Sequence, residues 1–202
     1  HYPLRRQRQM CIRDRNYILA MTKRQVFYSF HFKNDSWRAG QVRNIGVVEG
    51  NTPVSSNDWE EVKRKGNVAV KRWINSHMEY RSCIIVLIGS ETSSREWCRY
   101  EIEHAWKEGK GIVGIYVHHL KDFNGEQSTK GNNPFKLFYI DRTYNYIAER
   151  NYPVDGNEIN LSEICKTYNP PYKISTNVYD YIKEHINEWV EEAIRIRNQY
   201  PK

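Results

Sequence analysis

The glutamate at position 101 lies beside the apolar face of a predicted helix that follows a buried strand. Residues 83–88, CIIVLI, are apolar without alternation, which is typical of a strand covered on both faces. The inward stripe of the next helix consists of Cys98, Ile102, Ala105 and Trp106. Glu101 adjoins this stripe, one helical turn after Trp97. Because a half-buried carboxylate costs free energy unless it is paired or used, Glu101 either meets solvent, bridges to Lys107 or Arg43, or serves a ligand site.

Two other groups of reactive side chains have spacings that do not favour chemistry. His118, His119 and Asp122 carry metal-binding atoms, but adjacent residues at the end of a strand point to opposite faces. Cys98 and His104 fall on different faces of one helix, which argues against a thiol nucleophile. The sequence also has no glycine-rich loop of the P-loop or dinucleotide-binding type. We therefore predict no metal site.

Strands and helices alternate along most of the chain. The predicted strands are 25–30, 83–88 and 111–120, and the predicted helices are 36–45, 57–77, 94–108 and 177–198. Ser36 and Ser93 are the predicted caps of two of these helices, and Glu96 completes a capping box with Ser93. Residues 121–176 are rich in turn signals and are predicted to be irregular, with a few short strands. This alternation predicts an α/β fold with a central parallel sheet and helices on both faces, in which ligands bind at the carboxyl ends of the strands.

The composition favours a folded domain over a membrane-spanning or nucleic-acid-binding chain. The 202 residues are 39% hydrophobic and 27% charged, and no apolar run approaches the roughly 20 residues that a membrane span needs. The formal charge is +7, but residues 1–20 contribute +4 through five arginines and one aspartate. Because the remaining +3 is spread among alternating acids and bases, no basic face for nucleic acid is indicated.

Residues 1–20 have no periodicity and no apolar stretch of the length typical of a signal peptide. We interpret them as a disordered or non-native tail, and residues 21–202 as a single domain. The four cysteines are Cys11, Cys83, Cys98 and Cys165. Their wide spacing, without a CxxC pair, predicts reduced thiols in a cytoplasmic protein.

Several short motifs together resemble the TIR domain family. Its first-strand pattern of aromatic, serine, aromatic and basic residues matches Phe27, Ser29, Phe30 and His31. Its helix pattern of serine, tryptophan, cysteine and glutamate matches Ser94, Trp97, Cys98 and Glu101. The ordered motifs VFYSFHF, VRN, LIGSETSSREWCRYEI, GIYVHHLKD and KGNNPF resemble more closely the TIR-like proteins of the bacterial Thoeris anti-phage system. The resemblance covers residues 23–197 and implies a flavodoxin-like, TIR-type fold.

The resemblance also implies cleavage of NAD at the nicotinamide–ribose bond, with a cyclic ADP-ribose isomer as the expected product. The matching glutamate is Glu101, whose carboxylate can stabilise the oxocarbenium-like sugar that nicotinamide leaves behind. Trp97 offers a flat face for stacking a ring of the substrate, and the same position is also compatible with a packed core aromatic. Ser29, Phe30 and His31 are expected to line the same crevice. His31 stands where other TIR domains commonly have an arginine, which weakens the case for a phosphate-binding role.

On this hypothesis NAD is the substrate and no cofactor is required. The implied partners are a separate effector protein that senses the nucleotide product and, through self-assembly, further TIR domains. Two other functions stay open. One is a non-catalytic TIR module that acts by assembly with other proteins, and the other is a nucleoside deoxyribosyltransferase-like enzyme, which shares a similar fold and a glutamate-centred sugar chemistry.

Overall fold

The computed structural model describes residues 23–50, 56–144, 146–154 and 156–201, and the predicted tail over residues 1–20 lies outside these ranges. The strands are β1 (Gln25–Ser29), β2 (Glu49–Gly50), β3 (Cys83–Ile88), β4 (Gly111–Tyr116), β5 (Phe138–Asp141), β6 (Ile147–Glu149), β7 (Glu158–Asn160) and β8 (Thr167–Tyr168). The helices are α1 (Phe32–Asn44), α2 (Ser56–Arg64), α3 (Asn67–Met78), α4 (Glu96–Lys107), α5 (Leu161–Ile164) and α6 (Ser175–Arg197).

A parallel sheet in the order β2-β1-β3-β4-β8 forms the centre of the fold. Every residue of β3 and β4 is buried, which agrees with their unbroken apolar sequences. The strand order reverses between β1 and β3. In doubly wound sheets the crevice at the carboxyl ends of such a pair is where ligands bind, so this edge is the first place to look for a site.

The two faces of the sheet carry separate apolar layers. On one face Ile84, Val86 and Ile88 pack with side chains of α3 and α4. On the other face Cys83, Ile85 and Leu87 pack with side chains of α1 and α6. The helix α6 approaches β4 closely, since a Cβ on Gly111 would lie 2.7 Å from the backbone nitrogen of Ile194. These layers confirm the predicted α/β, flavodoxin-like architecture with helices on both faces.

Two predicted helix starts are wrong. The helix α1 begins at Phe32 rather than after Ser36, because the segment predicted as a loop forms its first turn, in which the Asp35 N–H donates to the His31 carbonyl at 2.9 Å. The helix α4 begins after Arg95 without a side-chain cap. Ser93 lies instead in a 3₁₀ turn over Thr92–Ser94, so it does not form the predicted capping box.

The single long helix predicted from Asn57 is in fact two helices, α2 and α3. The break lies at Gly66, whose φ of 87° falls in the left-handed region that favours glycine. The break lets two tryptophans of the segment meet edge to face, with the ring centroids of Trp59 and Trp73 5.6 Å apart.

The segment 121–176 is more ordered than predicted. It contains an antiparallel sheet in the order β6-β5-β7, the short helix α5, and β8, which extends the edge of the central sheet. Phe138, Ile140 and Ile147 of the second sheet are buried in the same apolar layer as α3 and α4. The strand predicted over 111–120 ends earlier, at Tyr116. Within the described ranges, none of the helices combines the length and the hydropathy that a membrane span requires.

Candidate active site

A cavity of about 550 Å³ lies at the carboxyl end of β1, next to the point where the strand order reverses. Its wall consists of Phe27, Tyr28, Phe30, His31, Phe32, Lys33, Arg43, Trp59, Glu60, Lys63, Trp73, Arg95, Trp97, Cys98 and Glu101. These side chains come from β1, from the loop after it, and from α1, α2, α3 and α4 or the turn before α4. The volume falls within the range of small-molecule sites, about 300–1,000 Å³, so the cavity has room for a nucleotide-sized ligand.

Glu101 is a buried carboxylate in the wall of this cavity, with 7% of its surface exposed. Burial raises the pKa of Glu101 from its ordinary 4.5 to about 8, and the neighbouring Ser29 hydroxyl partly offsets this rise in the pKa. Glu101 forms no ion pair with any described residue, and Lys107 pairs instead with Glu103 at 2.5 Å. The alternative of a solvated or surface-bridged Glu101 is therefore wrong.

Ser29 and Cys98 lie next to Glu101, at the inner end of the site. Ser29 is buried, is not part of the cavity wall, and its hydroxyl has no hydrogen-bond partner of normal geometry among the described residues. Cys98 does reach the wall, and burial raises the pKa of its thiol so far that the thiol stays protonated. Ser29 thus lies beside the Glu101 carboxylate on the side away from the cavity, where its hydroxyl favours the ionised form of Glu101, and it does not line the crevice as expected.

The other predicted site residues, Phe30, His31 and Trp97, all contribute to the cavity wall. Trp97 is half-buried, packs against the apolar layer on the α4 side, and meets Tyr100 edge to face at 6.2 Å. It therefore combines the two interpretations of its position, because one part of the side chain packs and another faces the cavity.

His31 is electrically neutral at ordinary pH. Desolvation, followed by the positive charges of Arg95 and Lys33, lowers the pKa of His31 to about 4. Its Nδ1 lies 3.9 Å from a carboxylate oxygen of Glu91, beyond hydrogen-bond distance, and Glu91 already pairs with Arg95. His31 is thus a neutral polar group of the wall in the free protein.

The cavity wall also contains residues for which the sequence predicts no site role, among them Trp59, Trp73 and Arg43. Trp59 and Trp73 have the spacing of core residues, so the periodicity of 57–77 predicts that both lie on the inward face of one long helix. Arg43 belongs to the VRN motif, which by itself indicates no site role. The two tryptophans reach the cavity because the chain turns at Gly66 and α2 packs against α3. Arg43 reaches it because the residue lies near the end of α1. A helical periodicity in the sequence indicates neither feature.

The two adjacent histidines that were considered as metal ligands, His118 and His119, have a different arrangement from the one expected. His118 and His119 follow the end of β4 in a turn, where their rings approach to a centroid distance of 4.0 Å rather than diverging across a strand. His119 Nδ1 is 2.8 Å from the Tyr172 carbonyl, which engages that ring atom. Among the residues that the structure describes, no group of three or more His, Cys, Asp and Glu side chains has an arrangement suited to a metal ion.

Glu101→Gln is expected to stabilise the fold at alkaline pH. Because the folded protein holds the Glu101 proton more tightly than the unfolded chain does, wild-type stability falls as pH rises from about 4.5 towards 8. Glutamine cannot ionise, so the variant avoids this loss. At about 1.4 kcal/mol per pKa unit the gain in the free energy of unfolding is a few kcal/mol above pH 8, roughly a 10 °C rise in melting temperature.

Thermal unfolding of both proteins at about pH 4.5 and about pH 8.5 checks this expectation. The difference in melting temperature between variant and wild type must appear at the higher pH and vanish at the lower one. The matched control is Glu103→Gln, which removes a half-exposed carboxylate of the same helix. If Glu101→Gln and the wild type had equal melting temperatures at both pH values, burial would not raise the pKa of Glu101 as described.

The parallel sheet order and the buried glutamate at its switch point define an α/β domain of the TIR-like class. The sequence profile of the family described as "Thoeris protein ThsB, TIR-like domain" matches residues 27–122, the range that contains all five predicted site residues. A relative from Bacillus cereus (strain MSX-D12) named "Putative cyclic ADP-D-ribose synthase ThsB1" is 36% identical over 180 residues, which is 87% of this chain and 85% of the relative. The chain belongs to the ThsB family of TIR-like Thoeris proteins.

Proposed function

We propose that this protein cleaves NAD at the bond between nicotinamide and ribose and releases a cyclic ADP-ribose isomer. The observation that carries the proposal is Glu101, a buried carboxylate with no ion-pair partner among the described residues, in the wall of a nucleotide-sized cavity at the ligand-binding edge of the sheet. The name of the Bacillus cereus relative, "Putative cyclic ADP-D-ribose synthase ThsB1", supports the same chemistry.

The proposed reaction needs one carboxylate in the bond-breaking step. The pyridinium nitrogen of NAD already carries a positive charge, so nicotinamide leaves as a neutral molecule without a general acid. Departure moves the positive charge onto the ribose, where the ionised Glu101 stabilises the oxocarbenium-like centre. Trp97, one helical turn before Glu101 on α4, provides an aromatic surface for a ring of the substrate.

Ring closure requires a second role for the same group. When a hydroxyl or ring nitrogen of the adenosine half attacks C1 of the ribose, a bond to C1 forms and one proton is released. A carboxylate whose pKa has been raised to about 8 is a better proton acceptor than an ordinary glutamate. Glu101 therefore suits both steps, first as a negative charge beside the cation and then as the acceptor of the proton.

The raised pKa of Glu101 predicts a pH profile with a defined sign. In the free protein the reactive carboxylate accumulates only as pH rises, so kcat/KM should increase from about pH 6.5 and level off above an apparent pKa near 8. Bound NAD places its pyridinium charge near Glu101, which favours the ionised form. The profile of kcat, which reports the complex, should therefore level off at a lower pH.

Initial rates of nicotinamide release, measured between about pH 5.5 and pH 9.5 at low and at saturating NAD, test this profile. A kcat/KM that stays constant between about pH 6.5 and pH 8.5 would argue against Glu101 as the group that must be ionised.

The function itself is tested by incubating the full chain with NAD and measuring nicotinamide over time. Because TIR domains can require assembly, the assay is run over a wide range of protein concentrations. Release that depends on Glu101 supports the proposal. Exchange of the base of a 2′-deoxynucleoside, without NAD cleavage, would identify a deoxyribosyltransferase-like enzyme. Assembly without turnover of either substrate would identify a non-catalytic module.

We further propose that the product serves as a signal to a separate effector protein in anti-phage defence. Membership of the Thoeris family supports this role. The two partners to look for are therefore the nucleotide-sensing effector and, for activation, other copies of this chain.

A further inference from the structure

Arg43, near the end of α1, places a guanidinium group in the wall of the same cavity as Glu101. Its side chain is half-buried and lies over two aromatic rings of β1 and the following loop, 5.6 Å from the Tyr28 centroid and 5.2 Å from the Phe30 centroid. The Nε atom is fully shielded from solvent and has no hydrogen-bond partner among the described residues. Arg43 also forms no ion pair with any described carboxylate, although an arginine is charged at all ordinary pH values.

Three of the four other basic groups of the cavity wall differ from Arg43 in this respect. Lys63 pairs with Glu60, and Arg95 pairs with Glu91. His31 is neutral, because desolvation and nearby positive charges lower its pKa to about 4. The fourth, Lys33, is exposed to solvent and also pairs with no described carboxylate. Arg43 is thus the half-buried cation of this wall that carboxylates in the described ranges leave unbalanced.

We propose that Arg43 is the anion-binding residue of this cavity and that it holds the diphosphate of a dinucleotide substrate. The inference rests on the proposed function for the identity of the substrate. Contact with the Tyr28 and Phe30 rings holds the guanidinium at the cavity wall, and no described residue accepts a hydrogen bond from its Nε. Phosphate oxygens satisfy the N–H edge of a guanidinium in a charge-assisted, two-pronged geometry.

On this proposal the positive charge for the diphosphate comes from the far end of α1 rather than from position 31, which follows β1. His31 at the end of the strand brings no charge to the site, whereas Arg43 reaches the same cavity from the far end of α1. Phe30 contributes to the cavity wall and also contacts the Arg43 guanidinium, so its ring belongs to both the cavity and the proposed anion subsite.

The test compares ligands with and without the diphosphate. In the Arg43→Gln variant, KM for NAD is expected to rise about 10- to 100-fold, the range for losing hydrogen bonds to a charged group, while kcat changes little. KM for nicotinamide riboside, which has no phosphate, is expected to stay unchanged. Arg43→Lys keeps the charge but loses the planar fork, so its KM for NAD should lie between those of the wild type and Arg43→Gln. The control is Arg72→Gln, an exposed arginine of α3 outside the cavity.

Equilibrium binding separates this inference from the proposed function. By titration calorimetry, Arg43→Gln should weaken binding of ADP-ribose but not of adenosine, and wild-type binding of ADP-ribose should weaken as salt rises. If the wild type binds ADP-ribose in this Arg43-dependent way but never cleaves NAD, the anion subsite stands and the proposed reaction falls. If NAD is cleaved and Arg43→Gln leaves ADP-ribose binding and KM unchanged, or weakens adenosine equally, the subsite is overturned.

Arg43 also packs on two aromatic rings, so the variants are first compared with wild type by thermal unfolding. Should Arg43→Gln not fold, the decision passes to Arg43→Lys and to the salt dependence of the wild type. ADP-ribose affinity that neither responds to salt nor changes in Arg43→Lys would equally overturn the proposal.

Discussion

Replacing Glu101 by glutamine is expected to lower the rate of NAD cleavage by about 10²–10³-fold or more, the cost of removing one electrostatic stabiliser from a transition state. The substitution keeps the shape of a side chain that is 7% exposed, and it removes the negative charge that faces the cavity. Because the neutral glutamine also avoids the cost of burying a charge, the variant should fold at least as well as the wild type.

The matched control lies two residues further along the same helix. Glu103 is half-exposed and pairs with Lys107 at 2.5 Å, so Glu103→Gln removes an exposed ion pair of little energetic weight. Nicotinamide release by the two variants is compared at equal protein concentration and at a pH above 8, where the wild-type carboxylate is ionised. Similar losses in both variants would show that the helix, rather than the Glu101 charge, is what the substitution disturbs.

The central sheet could be predicted from the sequence because its inner strands carry their signal locally. The run over β3 is apolar at every position and has the same bounds in the structure as in the prediction. The second sheet could not be predicted in the same way. The strands β6 and β7 have three residues each, too few to show an alternating pattern, and they depend on pairing with β5, which for β7 joins residues as far apart as Tyr139 and Asn160.

The residues of the site likewise include some that the sequence predicts and others that only the fold brings to the cavity. Glu101, Trp97, Phe30 and His31 follow from helix phase, strand ends and family motifs, and all four line the cavity. Trp59 and Trp73 carry the same periodicity as core residues, so only the left-handed turn at Gly66 decides that they meet at a cavity wall. The raised pKa of Glu101 could not be predicted from the sequence either, because it depends on the depth of burial and not on which residues are its neighbours in the chain.

The product of NAD cleavage is expected to be a cyclic isomer of ADP-ribose rather than linear ADP-ribose. Once nicotinamide has left, the oxocarbenium-like centre must be captured by a nucleophile, either water or a group of the same molecule. A well-oriented intramolecular nucleophile has an effective molarity of about 10⁵–10⁸ M, which exceeds any concentration that water reaches. Capture within the molecule therefore wins wherever the protein holds the adenosine half near the ribose.

The cavity has the surfaces that such a folded substrate requires. Trp97 lies on α4 with Glu101, while Trp59 and Trp73 lie on α2 and α3, so aromatic faces are supplied by separate elements around one space of about 550 Å³. Aromatic side chains stack on bases and displace water from the reacting centre. We expect the two ring systems of NAD to occupy these two aromatic walls, with the diphosphate between them.

Product analysis decides between cyclisation and hydrolysis. Protein is removed by filtration after turnover, and the filtrate is examined by chromatography and mass spectrometry, where a cyclic isomer has the mass of ADP-ribose less one water. Trp73→Ala, which removes part of the second aromatic wall, should raise the share of linear ADP-ribose relative to wild type, because water then competes for the same centre. If the wild type yields only linear ADP-ribose while nicotinamide release still depends on Glu101, the protein is an NAD hydrolase, and a cyclic messenger has no place in its mechanism.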